Sequence, residues 1–260
     1  MLAKTGSRRG LLVFAVVVLL SPVAMADDLL LTDGRAFPGQ LWLSRSGAAE
    51  GSIHRREATA NPAYPRATMK LGQVTVGADG KLYFVSGLDG YVIHLLDGRN
   101  EVLSFEFDGQ IRDLDSGGEE HTVYFSVVPT PQNGEPLADG KIYRRDLWLG
   151  QPSEVAVVRQ ADIGGGWWGT FATKEGSTYI ATHERPSRLF KLTTAGPEPV
   201  FTANQYEIHG LTVTSDGAFL FTNDTGKVYR TVDFVTVEPA FVGGQHFTDV
   251  AVEPTVGASP

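Results

Sequence analysis

The sequence contains no cysteine. Disulfide frameworks, cysteine zinc sites, thiol nucleophiles and lipid attachment through cysteine are therefore excluded. Positive charge is also scarce, because 22 Lys and Arg residues stand against 30 Asp and Glu residues in a chain of 260. Such an acidic chain has no surplus of cations to neutralise phosphates, so we expect no nucleic-acid partner.

Long apolar runs are missing except near the N-terminus. Basic side chains before position 10 precede an apolar run at residues 11–20, and the small residues Ala24 and Ala26 follow around Met25. This order is typical of a secretory signal peptide, and the run is too short for a spanning helix, which needs about 20 residues. We expect residues 1–26 to be removed, so that the mature chain begins at Asp27 without a transmembrane anchor.

Arg8 and Arg9 also form a pair similar to that of a twin-arginine signal, a route that exports proteins already folded. An ordinary signal with two adjacent arginines is the alternative. Either route leads to a periplasmic or secreted location. The expected partners are then a small polar ligand or an extracytoplasmic protein.

A repeated sequence motif made of short strand-forming segments begins at residue 40. Runs rich in Val, Ile, Thr, Tyr and Phe alternate with Asp-Gly, Gly-Gly and Pro, and no stretch of about 11 residues keeps a helical period. Each copy reaches an aromatic or His position, and these positions are His54, His94, Tyr143, Phe190 and Tyr229. Their intervals of 40, 49, 47 and 39 residues, with four strands in each repeat, are typical of β-propeller blades.

The repeat leaves one strand without a partner at each end of the chain. The first copy lacks its leading strand, and residues 247–252 form an extra strand after the last copy. We expect this C-terminal strand to pair with residues 41–44 and to close the ring. The sequence therefore predicts that residues 27–260 form one all-β domain, a five-bladed β-propeller, with six blades if residues 28–39 contribute more than one strand.

Polar side chains are predicted at one mouth of the central channel, where the innermost strands begin. Aligning those strands gives two columns of residues: Gly72, Arg112, Trp168, His209 and Thr248 in the first, and Gln73, Asp113, Gly169, Gly210 and Asp249 in the second. Hairpins at the same face add His183, Glu184, Asn223 and Asp224. Clefts of this kind are where propeller ligands bind.

These residues suggest three kinds of role. The candidate metal ligands are Asp113, Asp249, His209, Asn223 and Asp224, which offer mainly oxygen atoms. Candidate ligand-binding residues are Trp168 as a stacking surface, with Gln73, His183 and Glu184. His209 and Arg112 are the candidate catalytic residues.

A structural interpretation of the same residues stays open. The two aspartates can pair with Arg112, since a charge in an enclosed channel needs a partner. Asp224 can cap its own turn. The adjacent residues Trp167 and Trp168 can both fill space between blades.

One blade carries a family resemblance. Residues 208–230, with His209-Gly210-Leu211, Ser215-Asp216-Gly217 and Thr222-Asn223-Asp224, resemble a blade of the gluconolactonase-like and NHL-repeat propellers. In gluconolactonases an Asn stands where this chain has His209, and that Asn and a later Asp help to hold a catalytic divalent metal. The resemblance implies a metal role for His209 and for Asn223 or Asp224. It covers one blade, those families have six blades, and their early metal-binding Glu has no counterpart near residues 38–40.

The expected function is binding of a small polar ligand or a protein partner at the channel mouth. The alternative is a metal-dependent, lactonase-like hydrolase, in which Ca²⁺, Zn²⁺ or Mn²⁺ polarises a carbonyl group. An imidazole from His209 favours Zn²⁺ or Mn²⁺ over Ca²⁺. A lyase with His209 as the base and Arg112 stabilising an enolate is a third possibility.

Overall fold

The structure is a computed structural model of the chain. It describes residues 40–45, 51–55, 64–66, 71–78, 81–86, 92–97, 100–117, 119, 121–130, 137–146, 148, 150–223, 225, 227–242 and 249–253. The expected signal peptide lies outside the described residues. No helix among the described residues is both long enough and apolar enough to cross a membrane.

The described residues form five four-stranded antiparallel sheets. Sheet 1 contains β1 (Gln40–Arg45), β2 (Gly51–Arg55), β3 (Tyr64–Arg66) and the last strand, β20 (Asp249–Glu253). Sheet 2 contains β4 (Leu71–Val76), β5 (Leu82–Ser86), β6 (Val92–Asp97) and β7 (Asn100–Glu106). Sheet 3 contains β8 (Ile111–Asp115), β9 (Thr122–Val127), β10 (Gly140–Asp146) and β11 (Ser153–Val158).

Sheets 4 and 5 follow the same plan, in which each strand pairs with the next in the chain. Sheet 4 contains β12 (Trp168–Lys174), β13 (Ser177–Thr182), β14 (Ser187–Thr193) and β15 (Gly196–Ala203). Sheet 5 contains β16 (Ile208–Val213), β17 (Phe219–Asn223), β18 (Lys227–Thr231) and β19 (Glu238–Val242). A short 3₁₀ turn (Gln160–Ile163) precedes sheet 4.

Apolar side chains join neighbouring sheets face to face. One cluster between sheets 2 and 3 contains Tyr83, Ile93, Ile111, Leu114 and Phe125. The cluster between sheets 3 and 4 contains Val128, Ile142, Trp168, Phe171 and Phe190. The cluster between sheets 4 and 5 contains Ala172, Leu189, Leu211, Phe219 and Phe221. Burying a side chain of this size contributes about 1.5–3 kcal/mol to the stability of the fold. Packing between neighbouring sheets is therefore a large part of what stabilises the protein.

The repeated aromatic position seen in the sequence has a packing role. Tyr143 stacks on Phe125 across β10 and β9 with ring centroids 5.4 Å apart. Tyr229 stacks on Phe221 in the same way in sheet 5, also at 5.4 Å. The repeated aromatic position therefore forms the same kind of cross-strand aromatic pair in two sheets.

The first strand of each of sheets 2–5, together with β20, makes an inner layer. In this layer β4 contacts β8, β8 contacts β12, β12 contacts β16, β16 contacts β20, and β20 contacts β4. Strand β20 also pairs antiparallel with β1, with Leu41 opposite Val252 and Ser44 opposite Asp249. The C-terminal strand thus has the partner that the repeat predicts. Consecutive four-stranded antiparallel sheets arranged around inner strands are the topology of a β-propeller.

Removing residues 249–260 should prevent folding. The deletion leaves β1 paired only with β2 and uncovers the sides of β4 and β16, so we expect aggregation or loss of cooperative unfolding. Removing residues 254–260 alone is the matched control, since it spares β20. Circular-dichroism melting curves and size-exclusion chromatography distinguish the outcomes, and a monomeric, cooperatively melting deletion of 249–260 would contradict the prediction.

Candidate metal centre

Four innermost strands carry a β-bulge near their starts. In β4 the shift falls between Leu71 and Val74. The pairing of β8, β12 and β16 with the next strand skips one residue, and the skipped residues are Arg112, Gly169 and His209. A bulge leaves its extra residue outside the ladder and redirects the side chain. Arg112 and His209 are therefore redirected at the starting ends of their strands, at one mouth of the channel.

The register corrects the predicted role of Trp168. Trp168 is the residue before the bulge and matches Ile111 and Ile208, which are also buried. Its indole is 0% exposed and packs in the core between sheets 3 and 4. A buried ring of this kind presents no surface to a ligand. The sequence alignment was shifted by one residue in β12. Trp168 is the counterpart of Ile111, and Gly169 is the counterpart of Arg112.

Trp167 is the aromatic residue at the mouth. Its half-buried ring lies 5.3 Å from the guanidinium carbon of Arg112 and meets the ring of His183 edge to face, with centroids 4.5 Å apart. The Trp167 carbonyl also accepts a hydrogen bond from the His183 backbone N–H at 2.9 Å. A Cβ atom on Gly169 would come within 3.1 Å of the Arg112 Cβ, so the missing side chain leaves room for Arg112.

Two hydrogen bonds hold the Arg112 side chain. Its Nε donates to the Val128 carbonyl at 3.0 Å, and Nη2 donates to the Thr130 hydroxyl. The charged group is thereby fixed against the ring of Trp167, in a geometry that favours a cation–π contact. Arg112 therefore supplies a fixed positive charge at this mouth.

His183, Glu207 and His209 converge beside Trp167. One ligand atom from each residue can be chosen so that all three lie within 4.8 Å of one another, and all three side chains are half-buried. The two imidazole rings stand nearly perpendicular, with centroids 5.7 Å apart. Two imidazoles and one carboxylate form a ligand set that suits zinc and leaves a fourth position open.

Thr170 orients this group. Its hydroxyl donates to the His209 carbonyl at 2.6 Å and lies 3.0 Å from the His183 Nε2. Because the hydroxyl proton is already used, Nε2 of His183 is the donor to Thr170, and Nδ1 keeps the free lone pair. Hydrogen bonds of this type fix the tautomer of metal-binding histidines.

The electrostatics keep His183 neutral. Burial, followed by the nearby His209 and Arg112, lowers the pKa of His183 to about 3. The imidazole is therefore uncharged over the physiological pH range, and the neutral form is the one that binds metal ions.

Glu207 was missed by the sequence analysis, which named His183 and His209 separately. The signal that was available is the spacing Glu-x-His at the start of β16, because residues two apart along an extended segment tend to point to the same side. The pairing with His183 requires the fold, since that residue comes from the hairpin of the preceding sheet.

Asp113 and Asp249 have a different role from the predicted metal ligands. The carboxylate of Asp113 accepts the backbone N–H of Leu114 at 2.9 Å and that of Phe171 in β12 at 2.8 Å. Asp249 likewise accepts the N–H of Val250 at 2.8 Å and that of Val74 in β4 at 2.7 Å. Each aspartate thus ties one innermost strand to another.

These carboxylates do not fit a metal site. Their side chains are 0% and 1% exposed, and both oxygens of each are engaged by backbone donors. Desolvation raises the pKa of both, and the nearby charge of Asp249 raises that of Asp113 further. Among the described ion pairs neither carboxylate has a basic partner, so the alternative pairing with Arg112 is not present there.

The remaining predicted residues are placed away from this cluster or have other partners. The Asn223 Oδ1 accepts three hydrogen bonds from Thr225 and Lys227, which makes it a turn cap. Glu184 is exposed and forms an ion pair with Arg188 at 2.6 Å. Gln73 is half-buried in β4. Asp224 lies outside the described residues.

Comparisons with known proteins give structural neighbours only. No family model and no curated protein matches the chain. A Bacteroides caccae protein of unknown function is similar, with a TM-score of 0.49 and 11% identity over 83% of this chain and 98% of that one. The β-propeller domain of Myceliophteria thermophila Cps50 (Swd1) has a TM-score of 0.43 and 12% identity, over 79% of this chain and 66% of that one. BBS1N, solved in complex with ARL6DN, has a TM-score of 0.42 and 14% identity, over 82% and 64%.

Asp113→Asn should destabilise the fold without changing metal affinity. The amide nitrogen that replaces one oxygen faces a backbone N–H donor, so a buried hydrogen bond is lost at a cost of about 1–3 kcal/mol. Urea unfolding measures the loss, and Asp162→Asn on the exposed 3₁₀ turn is the control. A variant that keeps its stability but loses zinc or calcium binding would show that Asp113 is a ligand.

Proposed function

We propose that this protein is an exported, five-bladed β-propeller that binds a divalent transition-metal ion and, beside it, a small polar ligand. The observation that carries the proposal is the convergence of His183, Glu207 and His209 at one channel mouth. Cyclic contacts among the innermost strands and the pairing of β20 with β1 support five blades and closure of the ring by the C-terminal strand.

The donor set favours Zn²⁺ or Mn²⁺ over Ca²⁺. Calcium takes six to eight oxygen ligands, whereas two of the three groups here are imidazoles. The neutral state of His183 and its hydrogen bond to Thr170 suit a nitrogen ligand for a borderline-soft ion. Calcium binding through the buried aspartates has no support, because their oxygens already accept backbone hydrogen bonds.

The second part of the site is the pair Arg112 and Trp167. A guanidinium held against an aromatic ring offers donors and positive charge on one side and a flat apolar surface on the other. These groups lie next to His183, so a ligand that reaches the metal also meets them. We infer a small ligand with a carboxylate or carbonyl group, and a protein that presents such a group is the other possible partner.

His209→Ala and Glu207→Gln should each weaken zinc binding more than about tenfold, because a three-ligand site loses a third of its donors. Isothermal titration of chelator-treated protein with Zn²⁺ gives the affinities, and melting curves confirm that the variants are folded. Glu184→Gln is the matched control, since Glu184 is an exposed carboxylate at the hairpin next to His183. Equal zinc affinity in wild type and both variants would refute the site.

A metal-dependent hydrolase is the second candidate function, favoured by the fixed charge of Arg112 beside the ligand set. A bound ion would supply Lewis acidity toward a carbonyl oxygen. The chain itself would bind the negative charge of the substrate through Arg112 and limit its orientation through Trp167. We expect zinc-loaded protein to hydrolyse small lactones or esters, with kcat/KM at least about tenfold lower in Arg112→Gln. If none of the lactones or esters tested is hydrolysed, the hydrolase function is refuted and only the binding function remains.

Export predicts a defined N-terminus. Cleavage after residue 26 should give a mature chain that begins at Asp27, because the basic, apolar and small-residue regions occur in the order that signal peptidase requires. Intact-mass spectrometry of the extracytoplasmic fraction checks this terminus. Recovery of uncut chain from the cytoplasm alone would contradict the proposal.

A further inference from the structure

A cavity lies at the other mouth of the channel, where the innermost strands end. Its volume is about 380 Å³. Every innermost strand contributes to the lining, through Thr75, Asp115, Thr173, Thr212 and Val252. The cavity is therefore built by the inner layer itself and is separate from the cluster of His183, Glu207 and His209 at the strand starts.

The cavity has an excess of negative charge. Three carboxylates line it, Asp115, Glu175 and Asp216, against the single ammonium group of Lys174 among the described lining residues. That ammonium group is already engaged, since its Nζ donates to the Gly217 carbonyl at 2.6 Å. Arg230 pairs with Asp216 at 2.7 Å and also with the carboxylate of Glu238.

Asp115 makes the floor of the cavity negative. Its carboxylate accepts hydrogen bonds from the backbone N–H and the hydroxyl of Thr173 and from the backbone of Ser116 and Gly117. It has no basic partner in the described ion pairs, so it contributes negative charge to the cavity and has no free acceptor site. Its charge interacts with those of Asp113 and Asp249. Burial raises the pKa of Asp115, because desolvation disfavours the charged form of the carboxyl group. A cation in the cavity would offset this accumulation of charge.

Two hydroxyl groups in the lining have no partner within the described residues. Thr75 is 4% exposed and Thr212 is 8% exposed, and neither hydroxyl forms a hydrogen bond with another described group. Both residues line the cavity, where a hydroxyl oxygen can accept a hydrogen bond from a bound molecule. These two oxygens therefore offer acceptors to a ligand beside the charge of Asp115.

We propose that this cavity binds a small organic cation through a primary ammonium group. An ammonium group donates hydrogen bonds and carries a positive charge, which suits a cavity that offers the hydroxyls of Thr75 and Thr212 beside the negative charge of Asp115. A quaternary ammonium ion would need an aromatic cage, and no described lining residue is aromatic. The volume exceeds what a bare metal ion fills and has room for a short carbon chain or a ring.

The test uses putrescine as the probe and tetramethylammonium as the comparison ion, each titrated into the full mature chain by calorimetry. We expect putrescine to bind and tetramethylammonium to bind at least about tenfold more weakly, because it has no N–H donor. Ca²⁺ is titrated in parallel. Calcium that binds here in place of putrescine, equal binding of the two ammonium ions, or no putrescine binding would each overturn the proposal.

Variants locate the binding. Asp115→Asn should weaken putrescine binding at least about tenfold, and the double change Thr75→Val with Thr212→Val should weaken it several-fold. The double change keeps the proposal testable if Asp115→Asn fails to fold, because valine is close in shape to threonine. Thr202→Val, on the exposed side of β15, is the control. The His209→Ala variant should bind putrescine normally, so this result does not depend on the metal site. Unchanged putrescine binding in the Thr75→Val, Thr212→Val double variant would show that putrescine does not bind in this cavity.

Discussion

Two buried carboxylates hold the inner layer of strands together. Asp113 and Asp249 each accept one backbone N–H from their own strand and one from a neighbouring innermost strand, at 2.7–2.9 Å. Hydrogen bonds to a charged acceptor contribute about 1.5–3 kcal/mol each, whereas burying a carboxylate costs several kcal/mol. The net gain in stability is therefore small. What the two residues provide is a fixed register between strands that have no hydrogen-bonded ladder with one another.

The two mouths of the channel follow from that register. Once the inner strands are aligned, the bulges bring Arg112 and His209 to the starting ends, and the hairpin of sheet 4 adds His183. The opposite ends have no such bulges among the described innermost strands, and threonine hydroxyls and Asp115 line the cavity there. One layer of strands thus produces a nitrogen-rich site at one end and an oxygen-rich, acidic site at the other.

The sequence predicted the strands well because their spacing is local. Residue types that favour strands, and turn residues at fixed intervals, located the four-stranded repeats and the partner of the C-terminal strand. The choice between Trp167 and Trp168 could not be made in this way, because a bulge shifts the register by one residue and reverses which indole is buried. Alternation of polar and apolar residues does not reveal such a shift.

The site was partly predictable for a similar reason. His183 and His209 were found because polar residues at the ends of strands were collected, and Glu207 was missed because it precedes its strand. Asp113 and Asp249 looked like metal ligands, since the sequence shows a carboxylate in a channel and nothing of its partners. Their backbone donors belong to strands 58 and 175 residues away in the chain, a distance that only folding bridges.

Anomalous diffraction at the zinc edge, from crystals of the chelator-treated protein soaked in zinc, tests the central claim most directly. We expect one strong peak at about 2.0–2.2 Å from a nitrogen of His183, a nitrogen of His209 and an oxygen of Glu207. Asp113 and Asp249 should keep their backbone hydrogen bonds in the same crystals. A peak on those aspartates, or no peak near the histidines, would contradict a metal centre at His183, Glu207 and His209.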